Sequence, residues 1–475
     1  MGIFMIFFFF VKVLSILLVN GEGGGVFEVK HKFGSEATLM DLIAHDHYRH
    51  GRHLSAAIDV PLSGDGKTTG IGVYYTKLGI GTPPTDYFLL VDTGSDVSWV
   101  NCINCNPCAN HTEIDGARFS YCVCLEIRLK LKLYDPQRSS TSAKVSCGDP
   151  FCSYMNNSPA CSSDGGSCEY HLEYADASES VGYLVTDTIL FDQVAGNHQT
   201  TFASSPITFG CGVQQSGNLV SPKGALDGLV GFGAATTSIL SQLASSGKVK
   251  KKFAHCLDGK RGGGIFLVGG VVQPQLKTTP LVAHQTHYNV ILESIQVGDA
   301  VLNISKLVFR DKKEAIIDSG TTLAYLPLAI SNPMRQLILA SQPNLSKQFD
   351  NDFFECFEFN KSINDEFPTV TFGFANSVQL NVYPHDYLIL KKDHLERYCL
   401  GWQDGMKSDE IILGDLVLTN KLVLYDLEDQ VLGLAEYNCS SPIGLDLSSS
   451  PARYNIPRVI KLLLLLSFML YTSVQ

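Results

Sequence analysis

Two short runs of the chain carry the same pattern of an acid, a hydroxyl residue, a glycine and a second hydroxyl residue: Asp92-Thr93-Gly94-Ser95 and Asp318-Ser319-Gly320-Thr321. Each is entered directly from an apolar stretch, within Tyr87 to Val100 and Lys313 to Leu326. A pair of carboxyls presented this way suits the hydrolysis of a peptide bond, in which water attacks a carbonyl while first oxygen and then nitrogen takes up a proton. Such a step needs a base and an acid side by side. Two carboxyls about 3 Å apart do not both ionise cheaply, so the pair holds one proton and supplies both functions. The flanking residues fit that use. Gly94 and Gly320 permit tight turns that bring backbone N–H groups to the carboxylates, and Ser95 and Thr321 each have a hydroxyl to donate to their own Asp. Thr93 and Ser319 are candidates to hydrogen-bond to each other's loop and lock the two turns together. One Asp-Thr/Ser-Gly run is common in ordinary turns; the weight rests on its duplication.

The duplication extends further. Asp227 to Gly233 (DGLVGFG) and Ile411 to Leu418 (IILGDLVL) each follow one acidic run at a distance, and in both two apolar residues end in a Gly that lets a backbone pass close to a neighbouring strand. This internal repeat predicts two similar lobes, each contributing one Asp at a strand end. A chain of 475 residues is too long for a single core. From Gly72 onward, short apolar runs broken by Gly, Pro, Asn and Asp predict an all-β body. A formal charge of −11, with Lys248 to Lys252 the one basic run, argues against a nucleic-acid partner.

The ends differ from this body. Residues 1–21 are nearly all apolar and are expected to be a signal peptide. Residues 22–68 are expected to be a propeptide, helical around Ala37 to Leu54 and loosening into a turn-rich linker from Pro61 to Gly70. The N-terminal lobe is then assigned to 69–280 with Asp92, and the C-terminal lobe to 281–440 with Asp318. In 441–475, small residues, a polar spacer and the short apolar run Leu462 to Tyr471 have the layout of a GPI-anchor signal, with Ser448 as the attachment site. An exported, oxidising route also suits the fourteen cysteines and the Asn-x-Ser/Thr acceptors at Asn110, Asn156, Asn303, Asn344, Asn360 and Asn438. Cys102, Cys105 and Cys108, followed by Cys122 and Cys124, resemble zinc-ligand spacing, but no matching His cluster accompanies them. Disulfides are expected instead, with no metal and no cofactor. The stretch from Asn110 to Lys132 reads as an insertion whose tail has strand-like alternation.

With these residues in view, the sequence resembles the pepsin-like aspartic peptidases, and within them the plant-type branch with extra cysteines in the N-terminal lobe, over roughly Gly72 to Cys439. The resemblance implies a bilobal β fold with the cleft between pseudo-twofold related lobes, and Asp92 and Asp318 as its catalytic pair. It further implies a β-hairpin flap within Tyr170 to Asp187 carrying Tyr174, with the Trp99 indole N–H meeting that Tyr hydroxyl, and a disulfide between Cys356 and Cys399. The segment departs from the usual pattern, which has Gly where Ala175 and Ala177 stand, and Ala resists positive φ. The expected activity is acid endopeptidase action on protein or peptide substrates, by a monomer on the outer face of the plasma membrane or secreted to the cell wall.

Overall fold

The computed structural model describes residues 57–64, 74–112, 129–153, 161, 166–194, 200–222, 224–259, 262–269, 276–302, 314–350, 354–392, 396–405 and 410–440. The expected signal peptide, Asn156, Asn303 and the tail with Ser448 lie outside these residues, as do Cys122 and Cys124.

Strands dominate, and their burial follows the period of two that a half-buried sheet requires. In the strand Thr85–Asp92, Tyr87, Leu89 and Val91 point inward while Asp86, Phe88 and Leu90, alternating with them, are exposed or half-buried. A 14-stranded sheet carries the N-terminal lobe, and an eight-stranded sheet carries most of the C-terminal lobe. The large sheet is not confined to one half of the sequence. Lys421–Asp426 pairs with Lys252–Leu257 (Phe253 opposite Tyr425), and Val431–Glu436 lies beyond it, so C-terminal strands complete a sheet begun more than 150 residues earlier. Over the shared face pack Phe232, Phe253, Phe266, Tyr288 and Tyr425, with Phe253 and Tyr425 stacked at 4.4 Å and Tyr288 edge-on to Tyr425 at 4.6 Å. Burying each such ring stabilises by about 1.5–3 kcal/mol.

The internal repeat is reproduced strand for strand. Gly228–Gly231 runs parallel to Thr85–Asp92 and antiparallel to Trp99–Asn101. In the other lobe, Ile411–Leu413 runs parallel to Glu314–Ile317 and antiparallel to Ala324–Leu326. Trp99–Asn101 and Ala324–Leu326 each take one further parallel neighbour, Thr200–Gln215 and Trp402–Asp404.

Two sequence expectations are altered. Pro61 to Gly64, read as the start of a linker, belong to the strand Ala57–Gly64, which lies inside the stretch 22–68 assigned to the propeptide. This strand pairs with Gly264–Gly269, Tyr74–Ile80 and Glu179–Val194 and buries Ile58, Val60 and Leu62. Tertiary pairing overrides the turn-prone composition there. In the 110–132 insertion, among the described residues, the strand-like tail pairs at Leu129–Lys130, against His111–Thr112. Lys132 then returns to the body, its N–H donating to Asp227 Oδ1 at 2.5 Å.

Among the described residues, six disulfides join Cys102 to Cys211, Cys105 to Cys108, Cys147 to Cys161, Cys152 to Cys168, Cys256 to Cys439 and Cys356 to Cys399. Cys102, Cys105 and Cys108 therefore form two disulfides. Among the described residues, no helix is long and apolar enough to cross a membrane.

Candidate active site

Asp92 is the last residue of its strand, and Asp318 directly follows Glu314–Ile317. The structure brings the two turns face to face. Gly94 N donates to Asp92 Oδ1 at 2.7 Å and Ser95 Oγ to Oδ2 at 2.5 Å. In the other lobe, Gly320 N donates to Asp318 Oδ1 at 2.8 Å and Thr321 Oγ1 to Oδ2 at 2.6 Å. The two glycines lie where the turns meet. A Cβ at Gly94 would stand 2.7 Å from Asp318 Oδ1, and one at Gly320 only 2.0 Å from Asp92 Oδ1.

The expected lock between the turns is one-sided. Ser319 N donates to Thr93 Oγ1 at 2.8 Å, whereas Ser319 Oγ is buried without a hydrogen-bond partner. Asp92 is buried and Asp318 half-buried. Burial, and next the Asp318 carboxyl, push Asp92 up to about 7 against the opposing hydrogen bonds from Ser95 and Gly94.

The hairpin of Glu169–Glu173 and Glu179–Val194 ends in a tip where Tyr174 N donates to Ser178 O and Ala177 N to Tyr174 O, both at 2.9 Å. Trp99 Nε1 donates to the Tyr174 hydroxyl at 2.7 Å. Of the two alanines, Ala177 takes the left-handed conformation, with φ 62°.

Sequence reasoning did not find three further features. The flap tip is tied to Ser216–Asn218: Ser216 N donates to Glu179 O (3.0 Å), Asn218 N to Ser178 Oγ (2.9 Å) and Asn218 Nδ2 to Asp176 Oδ2 (2.9 Å). Asp415, next to the Gly of the second partner motif, is buried with neither carboxyl oxygen hydrogen-bonded. Burial, and next Asp318 and Asp92, hold it well above the usual carboxylate range. Third, His255 is buried with its Nε2 3.1 Å from the Tyr425 hydroxyl. Only the position of Asp415 in the repeat was a usable signal.

Of the Asn-x-Ser/Thr acceptors, Asn110, Asn344, Asn360 and Asn438 are exposed.

A bilobal β fold with one hydrogen-bonded Asp turn from each lobe defines an enzyme class, and comparison with known proteins agrees. Residues 74–270 match the family model described as xylanase inhibitor N-terminal, and 287–436 the one described as xylanase inhibitor C-terminal. The chain is 41% identical to "Aspartic proteinase 39" of Arabidopsis thaliana, over 98% of each chain. It is 45% identical to "Aspartic proteinase 36" of the same plant, over 91% of this chain and 88% of that one. Among solved structures, soybean basic 7S globulin matches with a TM-score of 0.61 at 22% identity, over 82% of this chain and 99% of the globulin. The chain belongs to the pepsin-like aspartic proteinase family of plants. It is a protease.

Proposed function

We propose that the protein is an endopeptidase in which Asp92 and Asp318 share one proton and activate a water molecule between them, with activity greatest at acid pH. The observation that carries this reading is the mutual approach of the two turns, each carboxyl held by its own backbone N–H and hydroxyl. One carboxylate then takes a proton from water as it attacks the scissile carbonyl, while the other, protonated carboxyl gives its proton to the carbonyl oxygen; the proton taken from water next passes to the amide nitrogen, the C–N bond breaks, and one hydroxyl proton of the tetrahedral intermediate returns to the pair. Gly94, Ser95, Gly320 and Thr321 hold the pair, Thr93 and Ser319 join the loops, and Tyr174 with Trp99 closes over substrate. Replacing either Asp92 or Asp318 by Asn tests this: each single variant, acid-treated and given an unfolded protein, should be as inactive as the double. If Asp318→Asn keeps most of the turnover, the shared-proton reading is wrong.

The scaffold is also that of proteins described as xylanase inhibitors. Retention of both acids with all of their hydroxyl and glycine support favours the enzyme over a binding-only descendant. Around this core we place a leader removed at residue 21, a propeptide beginning at residue 22, glycans on the exposed Asn acceptors, and a lipid anchor at Ser448 that holds a monomer on the outer face of the plasma membrane. Phosphatidylinositol-specific phospholipase C applied to intact cells should release it.

A further inference from the structure

The hairpin tip that carries Tyr174 is fastened to a second turn of the same lobe, and the fastening converges on one buried hydroxyl. Ser178, 1% exposed, gives its N–H to Asp176 Oδ1 at 2.9 Å and its hydroxyl proton to Asp176 Oδ2 at 2.8 Å, while its carbonyl accepts the Tyr174 N–H. The same Oγ accepts the backbone N–H of Asn218, whose side-chain amide also donates to Asp176 Oδ2. One residue along the hairpin, Glu179 N donates to Ser216 Oγ and Ser216 N to Glu179 O, both at 3.0 Å. Gly217 makes this approach possible. It has φ 59°, and a Cβ there would stand 2.6 Å from Ser178 Oγ and 2.9 Å from Ser178 Cα. The turn is in turn held by the body of the lobe: it follows Thr200–Gln215, whose Cys211 is bonded to Cys102, Gln215 N donates to Pro107 O at 3.3 Å, and the buried Thr112 donates its hydroxyl to Pro222 O at 3.2 Å.

From this geometry we infer that Asn218 is a positioning residue for the flap: bonded to Ser178 through its backbone and to Asp176 through its side chain, it holds the tip where the Tyr174 hydroxyl meets the Trp99 indole. The inference rests on the reading of Tyr174 as the residue that closes over substrate. Stability does not account for the outermost bond of the set. Asp176 and Asn218 are both exposed, and a hydrogen bond between exposed groups replaces bonds to water with little net gain. What the bond supplies is a fixed distance between the flap tip and the lobe. Leu219, next on the same turn, packs with Tyr174 against the cluster around Trp99, so tip and turn also share an apolar contact surface. Opening of the flap begins with release of the Asn218 amide, whose donor and acceptor residues both face water, while Ser216 and Glu179 hold the hairpin nearer its base.

The test uses the full-length, acid-activated protein and a fluorogenic peptide. Asn218→Ala removes the amide and keeps the backbone bond to Ser178; kcat/KM should fall roughly tenfold, through kcat and KM together, with the melting temperature little changed, the response expected when an element that closes over substrate loses its closed position. Hydrogen exchange at the Tyr174 and Ala177 amides should be faster in this variant than in wild type. Gly217→Ala, which drives a Cβ against Ser178, should lower kcat/KM at least as far. Because Asn218 acts through Tyr174, adding Asn218→Ala to Tyr174→Ala should cost nothing further. If Gly217→Ala fails to fold, Asn218→Ala, a change at an exposed residue, decides. Wild-type kcat/KM or wild-type exchange at the tip in Asn218→Ala, or a loss that adds in full to that of Tyr174→Ala, overturns the inference. Tyr174→Ala separates the two levels: if that variant keeps wild-type turnover, the flap reading itself has failed, whereas a slow Tyr174→Ala beside a normal Asn218→Ala removes only the role of Asn218.

Discussion

Gly320 and Asp92 belong to different lobes, yet a Cβ on Gly320 would lie 2.0 Å from Asp92 Oδ1 and 2.5 Å from its Cγ. No rotamer change of the added methyl is available, so one turn must move. Gly320→Ala should therefore separate the carboxyls and cut turnover by about 100-fold or more, the scale of loss expected for a misplacement near 1 Å. Gly148, where a Cβ would meet nothing within 4 Å, is the control, and its replacement by Ala should leave kcat unchanged. Steady-state kinetics on both variants check this; near-normal turnover in Gly320→Ala would show that the turns are not in the register described.

The flap offers a second test, because its Tyr holds a buried indole. Trp99 is 2% exposed and gives its N–H to Tyr174. Tyr174→Phe leaves that donor unpaired, at a cost of about 1–3 kcal/mol. Tyr174→Ala also removes the ring, and should lower kcat further than it lowers the melting temperature, since a flap residue acts by excluding water from bound substrate. A large loss of stability with little kinetic change would instead make Tyr174 a core aromatic.

Ala177 takes the left-handed region that L-residues other than Asn and Asp seldom enter, at a cost of about 1–2 kcal/mol. Ala177→Gly should relieve this strain, partly offset by the greater freedom of Gly in the unfolded chain. The expected result is slower hydrogen exchange at the Tyr174 and Ala177 amides, which close the tip. Faster exchange in the glycine variant would show that the tip is not strained.

What the sequence made legible was what it encodes locally and twice. Asp92 and Asp318 stand in matching four-residue runs at matching strand ends, so the two lobes could be read from the sequence, each with its Asp turn. The flap tether could not, because Asp176 and Asn218 are 42 residues apart and ordinary in type. Nor could the contact between His255 and Tyr425, 170 residues apart and brought together by the return of C-terminal strands to an N-terminal sheet. Asp96 shows that adjacency in sequence does not by itself make an electrostatic partner. Its place beside the first run suggests influence on Asp92, but its Oδ1 accepts the Ala235 N–H at 2.8 Å, and Asp92 is governed by burial and Asp318.

The raised Asp92 has a consequence for stability whose sign is fixed. A carboxyl moved from the ordinary 3.8 to about 7 keeps a proton in the folded state that the unfolded chain has released. Between roughly pH 4 and pH 7 the folded protein therefore binds more protons, and this contribution to stability is full below that window and lost as pH rises through it. Asp415 acts in the same direction. Asp92→Asn abolishes the titration, so its stability relative to wild type should improve steadily from pH 4 to pH 7 in urea unfolding. A difference that shrank or stayed flat over that range would contradict a dyad holding its proton by burial.

If the proposed propeptide is removed, the strand Ala57–Gly64 limits where the cut can fall. It pairs with Gly264–Gly269 along six residues, from Ala57 opposite Gly269 to Leu62 opposite Gly264, and touches two further strands. Removing it would expose the edge of Gly264–Gly269 and uncover the cavity now filled by Ile58, Val60 and Leu62, all 9% exposed or less. Burying three such side chains contributes about 1.5–3 kcal/mol each, comparable together with the whole net stability of a domain at about 5–15 kcal/mol. The propeptide should therefore end before Ala57 rather than at residue 68, and a chain starting at residue 66 should be recovered aggregated or unfolded. Mass spectrometry of the N-terminal peptide of the active enzyme checks this. A fully active protein beginning between residues 65 and 70 would mean that the strand belongs to the propeptide after all and is displaced on activation.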